Sequence, residues 1–238
     1  MTTRHHPRTA RVVLRAVTAA VAAVALTTAV APAPAGADPE TLQPGSEIGF
    51  IGPDGDPGTC TLGFMVMTSD NSPAYLTAGH CAPVQGAPVY ADTMNGVTRV
   101  GVSRVVSYAD TGETLSTDIA LVDTANAPIN KSSQLTNGIR VTGISSSEDL
   151  RSSAPTLCKL GQATGFTCGP MTAVTRNKVL FRAESAHGDS GAPVVARWGN
   201  GVFTAVGVLN GSPIADDGVA VAQLIEPWTY QWSLRLVS

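Results

Sequence analysis

Short segments rich in Val, Ile, Thr and Tyr, each cut off by Gly, Pro, Asn or Ser, recur along this chain and leave little room for any other architecture. They fall at residues 61–68, 74–77, 88–91, 97–108, 119–122, 138–144, 179–181, 193–196, 202–209 and 218–225. A strand needs only a handful of residues to bury a face, whereas turn formers at this spacing would interrupt a helix before it closed three turns. The spacing predicts an all-β protein built as an antiparallel sandwich or barrel. Only residues 227–236 read as helical, with Pro227 at a first turn and Trp228, Trp232, Leu234 and Leu236 available for packing. With 43% apolar and 14% charged residues the chain is a folded globular one. A polar stretch, residues 126–134, divides the strand-rich region and is the best candidate for a connection between two halves.

The first 37 residues have a different character. Arg4, Arg8, Arg11 and Arg15 precede an apolar run over residues 16–30, and Ala35-Gly36-Ala37 offers the small-residue pattern that signal peptidase needs before Asp38. That run is shorter than the roughly 20 residues a bilayer requires, so a removable signal peptide over 1–37 is expected rather than a retained anchor. Nothing later is apolar enough to span, so no stable membrane association is expected once the leader is gone. The leader holds four of the fifteen basic side chains and none of the eighteen acidic ones, which leaves eleven against eighteen, a net charge of −7. With no basic cluster downstream, nucleic acid is not an expected partner.

Cysteine usage agrees with export. Cys60, Cys81, Cys158 and Cys168 all follow the leader, and four cysteines in a secreted chain allow three pairings. The local pairs, Cys60 with Cys81 and Cys158 with Cys168, would each close a short loop and contribute roughly 3 kcal/mol. A structural zinc is not expected: there is no C-x2-C pair, and after the leader only His80 and His187 remain.

Three sites carry the chemistry. Acyl transfer by a serine hydroxyl needs a base within hydrogen-bond reach and an acid that orients the base. Ser190 sits in Gly188-Asp189-Ser190-Gly191-Ala192-Pro193, where flanking glycines permit a tight turn that exposes the hydroxyl. His80 follows an apolar segment in Thr77-Ala78-Gly79-His80-Cys81, beside a cysteine that could tether it. Asp118 opens Asp118-Ile119-Ala120-Leu121, an acid at the mouth of a strand apolar enough to be buried; Asp110 and Asp123 are its replacements. These residues predict Ser190 as nucleophile, His80 as general base and then general acid, and Asp118 as orienter of the His80 ring. His187, three residues from Ser190, is the competing base, although so near in sequence it is better suited to line the substrate cleft.

TAGHC, DIAL and GDSGAP, in the chain order His, Asp, Ser, together resemble the trypsin/chymotrypsin family of serine peptidases. The resemblance implies two packed six-stranded antiparallel barrels with a short C-terminal helix: residues 38–130 carrying His80 and Asp118, and residues 131–238 carrying Ser190. It also implies an oxyanion hole from the Gly188 and Ser190 N–H groups, a polypeptide substrate, no cofactor or metal, and a monomer. The segment from Leu157 through Cys158-Lys159 to Cys168-Gly169 is similar to the cysteine-bounded hairpin of the secreted bacterial branch, the streptogrisins and α-lytic protease. In that branch a basic residue after the first hairpin cysteine neutralises the aspartate before the nucleophile, which implies a Lys159 to Asp189 ion pair here. No Ile-Val-Gly-Gly-like start follows Asp38 to fill that role.

The chain also departs from the pattern. Ala192 replaces the usual glycine, no long pro-segment separates Ala37 from the first strand, and residues 184–187 lack the usual cysteine. The family places pocket walls just before the nucleophile turn and on a strand resembling residues 206–211. Glu184, His187, Leu209, Asn210 and Gly211 are therefore the candidate substrate contacts, with no residue preference implied. A secreted serine endopeptidase is the first expectation. A catalytically silent binding module on the same fold is the alternative, and a hydrolase of non-peptide esters a third.

Overall fold

The computed structural model describes residues 41–52, 54–82, 84–109, 116–211 and 218–238. The expected leader over 1–37 and the alternative acid Asp110 lie outside the described residues. In chain order the elements begin with β1 (Thr41–Leu42), β2 (Glu47–Ile51), β3 (Pro57–Thr61), β4 (Met65–Met67), β5 (Pro73–Thr77), β6 (Pro88–Thr93), β7 (Gly96–Ala109), β8 (Thr117–Asp123) and β9 (Asn130–Lys131). There follow α1 (Ser147–Ser153), β10 (Thr156–Gly161), β11 (Gly165–Val174), β12 (Lys178–Arg182), β13 (Pro193–Arg197), β14 (Phe203–Gly211), β15 (Val219–Leu224), α2 (Glu226–Gln231) and β16 (Arg235–Leu236).

The protein is mostly β, as the turn spacing requires, and its strands sort into two principal sheets. Strands β10-β11-β12-β15-β14-β13 close into a six-stranded antiparallel barrel. The first half is a sheet of eight strands in the order β16-β4-β5-β8-β7-β6-β2-β3 whose ends do not pair, so it forms a half-barrel.

Side-chain alternation explains why so many strands read as unbroken apolar runs: they are covered on both faces. In β5, Tyr75 points into the core of the first sheet, while Ala74 and Leu76 point into a second core between the halves. In β14, Val206 and Leu209 fill the barrel, while Ala205 and Val208 face that shared core. Phe64, Ile119 and Leu121 from the first half meet Cys158, Leu160 and Val195 of the barrel there. Leu76 is fully buried in this layer. Truncation to Ala leaves a cavity in the seam, and we expect Leu76→Ala to cost about 3 kcal/mol in guanidinium unfolding.

The ends of the chain depart from expectation in a physically legible way. The helix expected over 227–236 stops at Gln231, because Ser233 takes φ 51° and reverses the chain so that Arg235 and Leu236 pair with Met67 and Val66. Trp228 and Trp232 still pack, with ring centroids 4.8 Å apart. Helix α1 was not expected. It offers one buried apolar residue, Leu150, so it has no periodicity to read, and a reciprocal Ser146/Asp149 capping box starts it. Within the connection over 126–134, residues 130–131 add a short parallel pairing with β1. Among the described residues no helix is long and apolar enough to cross a membrane.

Candidate active site

Strand β5 ends at Thr77, and the chain then makes a 3-10 turn over Gly79–Cys81. The Cys60–Cys81 disulfide fastens that turn to β3, and Cys158–Cys168 joins β10 to β11. The turn aims His80 at Asp118, the second residue of β8. Asp118 Oδ1 accepts the His80 backbone N–H at 2.9 Å, and Oδ2 lies 2.8 Å from His80 Nδ1. An ionised carboxylate only accepts, so Nδ1 carries the proton and Nε2 of the neutral ring is left with a lone pair. Asp118 is 8% exposed and His80 half-buried. The other described candidate acid, Asp123, instead lies at the far end of β8, 3.6 Å from Arg104.

The turn from Gly188 to Ala192 can be described by where its N–H groups go. Asp189 donates to Ala186 O, Gly191 to Leu209 O and Ala192 to Asp189 O. Among the described residues the Gly188 and Ser190 N–H groups have no acceptor in the protein. Its carbonyls are held by Thr61: the Thr61 hydroxyl donates to Gly188 O and the Thr61 N–H to Ser190 O, both at 2.7 Å. Gly191 packs against the residues that lead into His80. At φ 85°, a Cβ there would lie 2.1 Å from Thr77 Oγ1 and 2.3 Å from Thr61 O. Neither the dihedral nor the space admits a side chain. Gly191→Ala is expected to cost about 3 kcal/mol or more of stability, checked by calorimetry.

Asp189 is fully buried and saturated. Oδ2 accepts from Lys159 Nζ at 2.7 Å, the Thr164 hydroxyl at 2.6 Å and Ala186 N at 3.1 Å, and Oδ1 from Ala163 N and Thr164 N at 2.9 and 3.1 Å. Lys159 is equally buried, and its ammonium also donates to Gly165 O and Thr164 Oγ1. Burial alone would push the Asp189 carboxyl up, but the ammonium, the hydroxyl and the amide together hold it below the usual carboxylate range.

The remaining candidates scatter. Glu184 and His187 are exposed on the segment before the turn, with Glu184 O accepting from the Thr167 hydroxyl at 2.9 Å. Leu209 stands behind the turn: its side chain is in the barrel core, its N–H donates to Ala192 O and its C=O accepts from Gly191. Asn210 and Gly211 are partly exposed, and Asn210 Nδ2 donates to Asp118 O at 2.8 Å. Thr61, Gln223 and the buried Lys178 carried no signal in the sequence. Thr61 adjoins Cys60 but lies in no motif, and Gln223 and Lys178 read as ordinary strand residues. Cys60, His80 and Cys81 present ligand atoms within 4.8 Å of one another, but the disulfide occupies both sulfurs. A cavity of about 390 Å³ over β2, β3 and β6 is lined by Phe50, Thr59, Tyr90 and Gln162 and contains none of His80, Asp118 or Ser190.

No known family model and no curated protein matches the chain. Solved structures do. A Nocardiopsis protease aligns with TM-score 0.63 and 23% identity over 83% of this chain and 100% of its own. Protease A of Thermobifida fusca aligns at 0.61 and 21% over 83% and 99%, and a Cellulomonas bogoriensis chymotrypsin at 0.59 and 23% over 83% and 98%. The fold of this chain is the chymotrypsin-like one that these bacterial proteases share.

Proposed function

We propose that the protein is a secreted serine endopeptidase that hydrolyses peptide bonds through an acyl-enzyme. The observation that carries this reading is the two-point hold of Asp118 on His80, which fixes both the ring and its tautomer.

In the first half-reaction Ser190 Oγ bonds to the scissile carbonyl carbon while His80 Nε2 takes the hydroxyl proton. The oxyanion that forms is met by the Gly188 and Ser190 N–H groups, which are free to donate. His80 then passes its proton to the leaving amine as the C–N bond breaks, and the acyl group stays on Ser190. Water repeats the cycle, giving a proton to His80 and hydroxide to the acyl carbon, and Ser190 leaves with the proton returned. Asp118 stays ionised throughout and stabilises the imidazolium.

The pairing of β14 with β13 ends at Val208, so the partly exposed Asn210 and Gly211 leave one side for an extended peptide to pair with, and the exposed Glu184 and His187 before the turn are the candidate cleft residues. The basic, apolar leader and the two disulfides support export. The test is covalent labelling. A fluorophosphonate should label Ser190 in folded protein and leave heat-unfolded protein unlabelled. Folded protein that resists labelling would replace the peptidase with a silent binding module on the same scaffold.

A further inference from the structure

Lys178 is a cation where this fold has no packing use for one. It opens β12, whose Val179 and Phe181 fill the barrel core, so alternation turns Lys178 to the outer face of the barrel. It is nevertheless only 3% exposed there. Its ammonium donates to Asn210 Oδ1 at 2.6 Å, and the same amide donates through Nδ2 to Asp118 O at 2.8 Å. The Asp118 N–H donates to Gln223 Oε1 at 3.2 Å, and Gln223 Nε2 donates in turn to Asn177 O, one residue before Lys178. Both backbone groups of Asp118 are therefore held across the seam by side chains rooted in β14 and β15, and both holders trace back to the start of β12.

An amide can flip, and Asn210 supports Asp118 only if its nitrogen faces the carbonyl. A cation can face only the oxygen of that amide. We propose that Lys178 is a positioning residue of the triad: its buried ammonium fixes the amide of Asn210 so that Asn210 holds Asp118, and with it the His80 ring, in register with the barrel that carries Ser190. This rests on the peptidase reading above.

The alternative, that Lys178 merely holds the seam together, predicts the opposite balance of effects. A buried charge is expensive, and a flexible apolar side chain of similar length at the same place is neutral or stabilising. Lys178→Met is therefore expected to unfold at the parent's temperature or higher while kcat for a peptide substrate falls tenfold or more and KM stays within about twofold. Because Lys178 acts through Asn210, Lys178→Met should add little to Asn210→Ala in the double variant. The rate of fluorophosphonate labelling should fall in parallel with kcat.

Parental kcat in Lys178→Met, or a loss that adds in full to that of Asn210→Ala, overturns the inference. If Lys178→Met does not fold, Asn210→Ala alone decides it: parental kcat there leaves the ammonium nothing to act through. Failure of the parent itself to label overturns the peptidase reading and the inference together. Equal labelling rates in parent and Lys178→Met overturn only the inference.

Discussion

Ser190→Ala should fold as the parent does and lose about four to six powers of ten in kcat for peptide hydrolysis, with His80→Ala close behind and Asp118→Asn about four powers down. The three changes act by separate routes. Without the Ser190 hydroxyl there is no acyl-enzyme, and what remains is the contribution of the Gly188 and Ser190 N–H groups to water attack. Without His80 the hydroxyl keeps its proton at neutral pH. Asp118→Asn is the more instructive case, because the Asn oxygen can still accept the His80 backbone N–H. Oδ1 accepts the His80 N–H while Oδ2 faces Nδ1. An amide placed with its nitrogen toward Nδ1 would donate where the carboxylate accepts, and would hold the ring in the tautomer whose Nε2 carries the proton. The double variant Ser190→Ala/His80→Ala should be little worse than either alone, since neither group works without the other. Steady-state assays on purified variants, with melting curves to establish folding, check the series. A His80→Ala variant within tenfold of the parent would remove His80 from the mechanism.

The polarity of the site was more legible than its supports, for a reason that particular residues make clear. Ser190, His80 and Asp118 sit in short motifs because each needs its own neighbours: glycines that admit the turn, a cysteine that tethers it, a strand that buries the acid. Lys159 could be reached because it follows Cys158 directly. Thr61 reaches Gly188 across 127 residues, Gln223 reaches Asp118 across 105 and Lys178 reaches Asn210 across 32, and nothing local requires them. The same logic governs the fold. The strands followed from turn chemistry, which is local, and the barrels from the resemblance that the motifs carry, whereas the stop of α2 at Gln231 depends on β4 being free to pair with Arg235 and Leu236. Helix α1 went unseen because a single buried leucine makes no pattern.

Lys159→Met is expected to destabilise the protein by about 3–5 kcal/mol near neutral pH, because it leaves the Asp189 carboxylate buried without a cation. The consequence reaches the chemistry through the turn. Asp189 holds Ala163, Thr164 and Ala186 to one point, and its own backbone sits between the Gly188 and Ser190 N–H groups. A carboxylate that moves toward water carries those two donors with it, so hydrolysis should fall at least about a hundredfold while the His80–Asp118 contact is kept. The pH dependence separates this from loss of packing. In the parent the Asp189 carboxyl is held below its unfolded value, so its contribution is present above about pH 4 and is lost as pH falls through the folded value. In the variant burial is no longer opposed by the ammonium, the carboxyl moves upward, and its penalty is present above the unfolded value and relieved as the group protonates. Both trends narrow the gap on acidification, the variant's as pH falls from about 7 toward about 4 and the parent's only below about pH 4, so the difference in melting temperature should shrink from about pH 7 downward and keep shrinking below about pH 4. A packing defect would leave it constant. Asp189→Asn in the Lys159→Met background should recover much of the lost stability, since the uncompensated charge is gone. Recovery of stability without recovery of hydrolysis would show that the charge pair shapes the turn as well as neutralising its own burial.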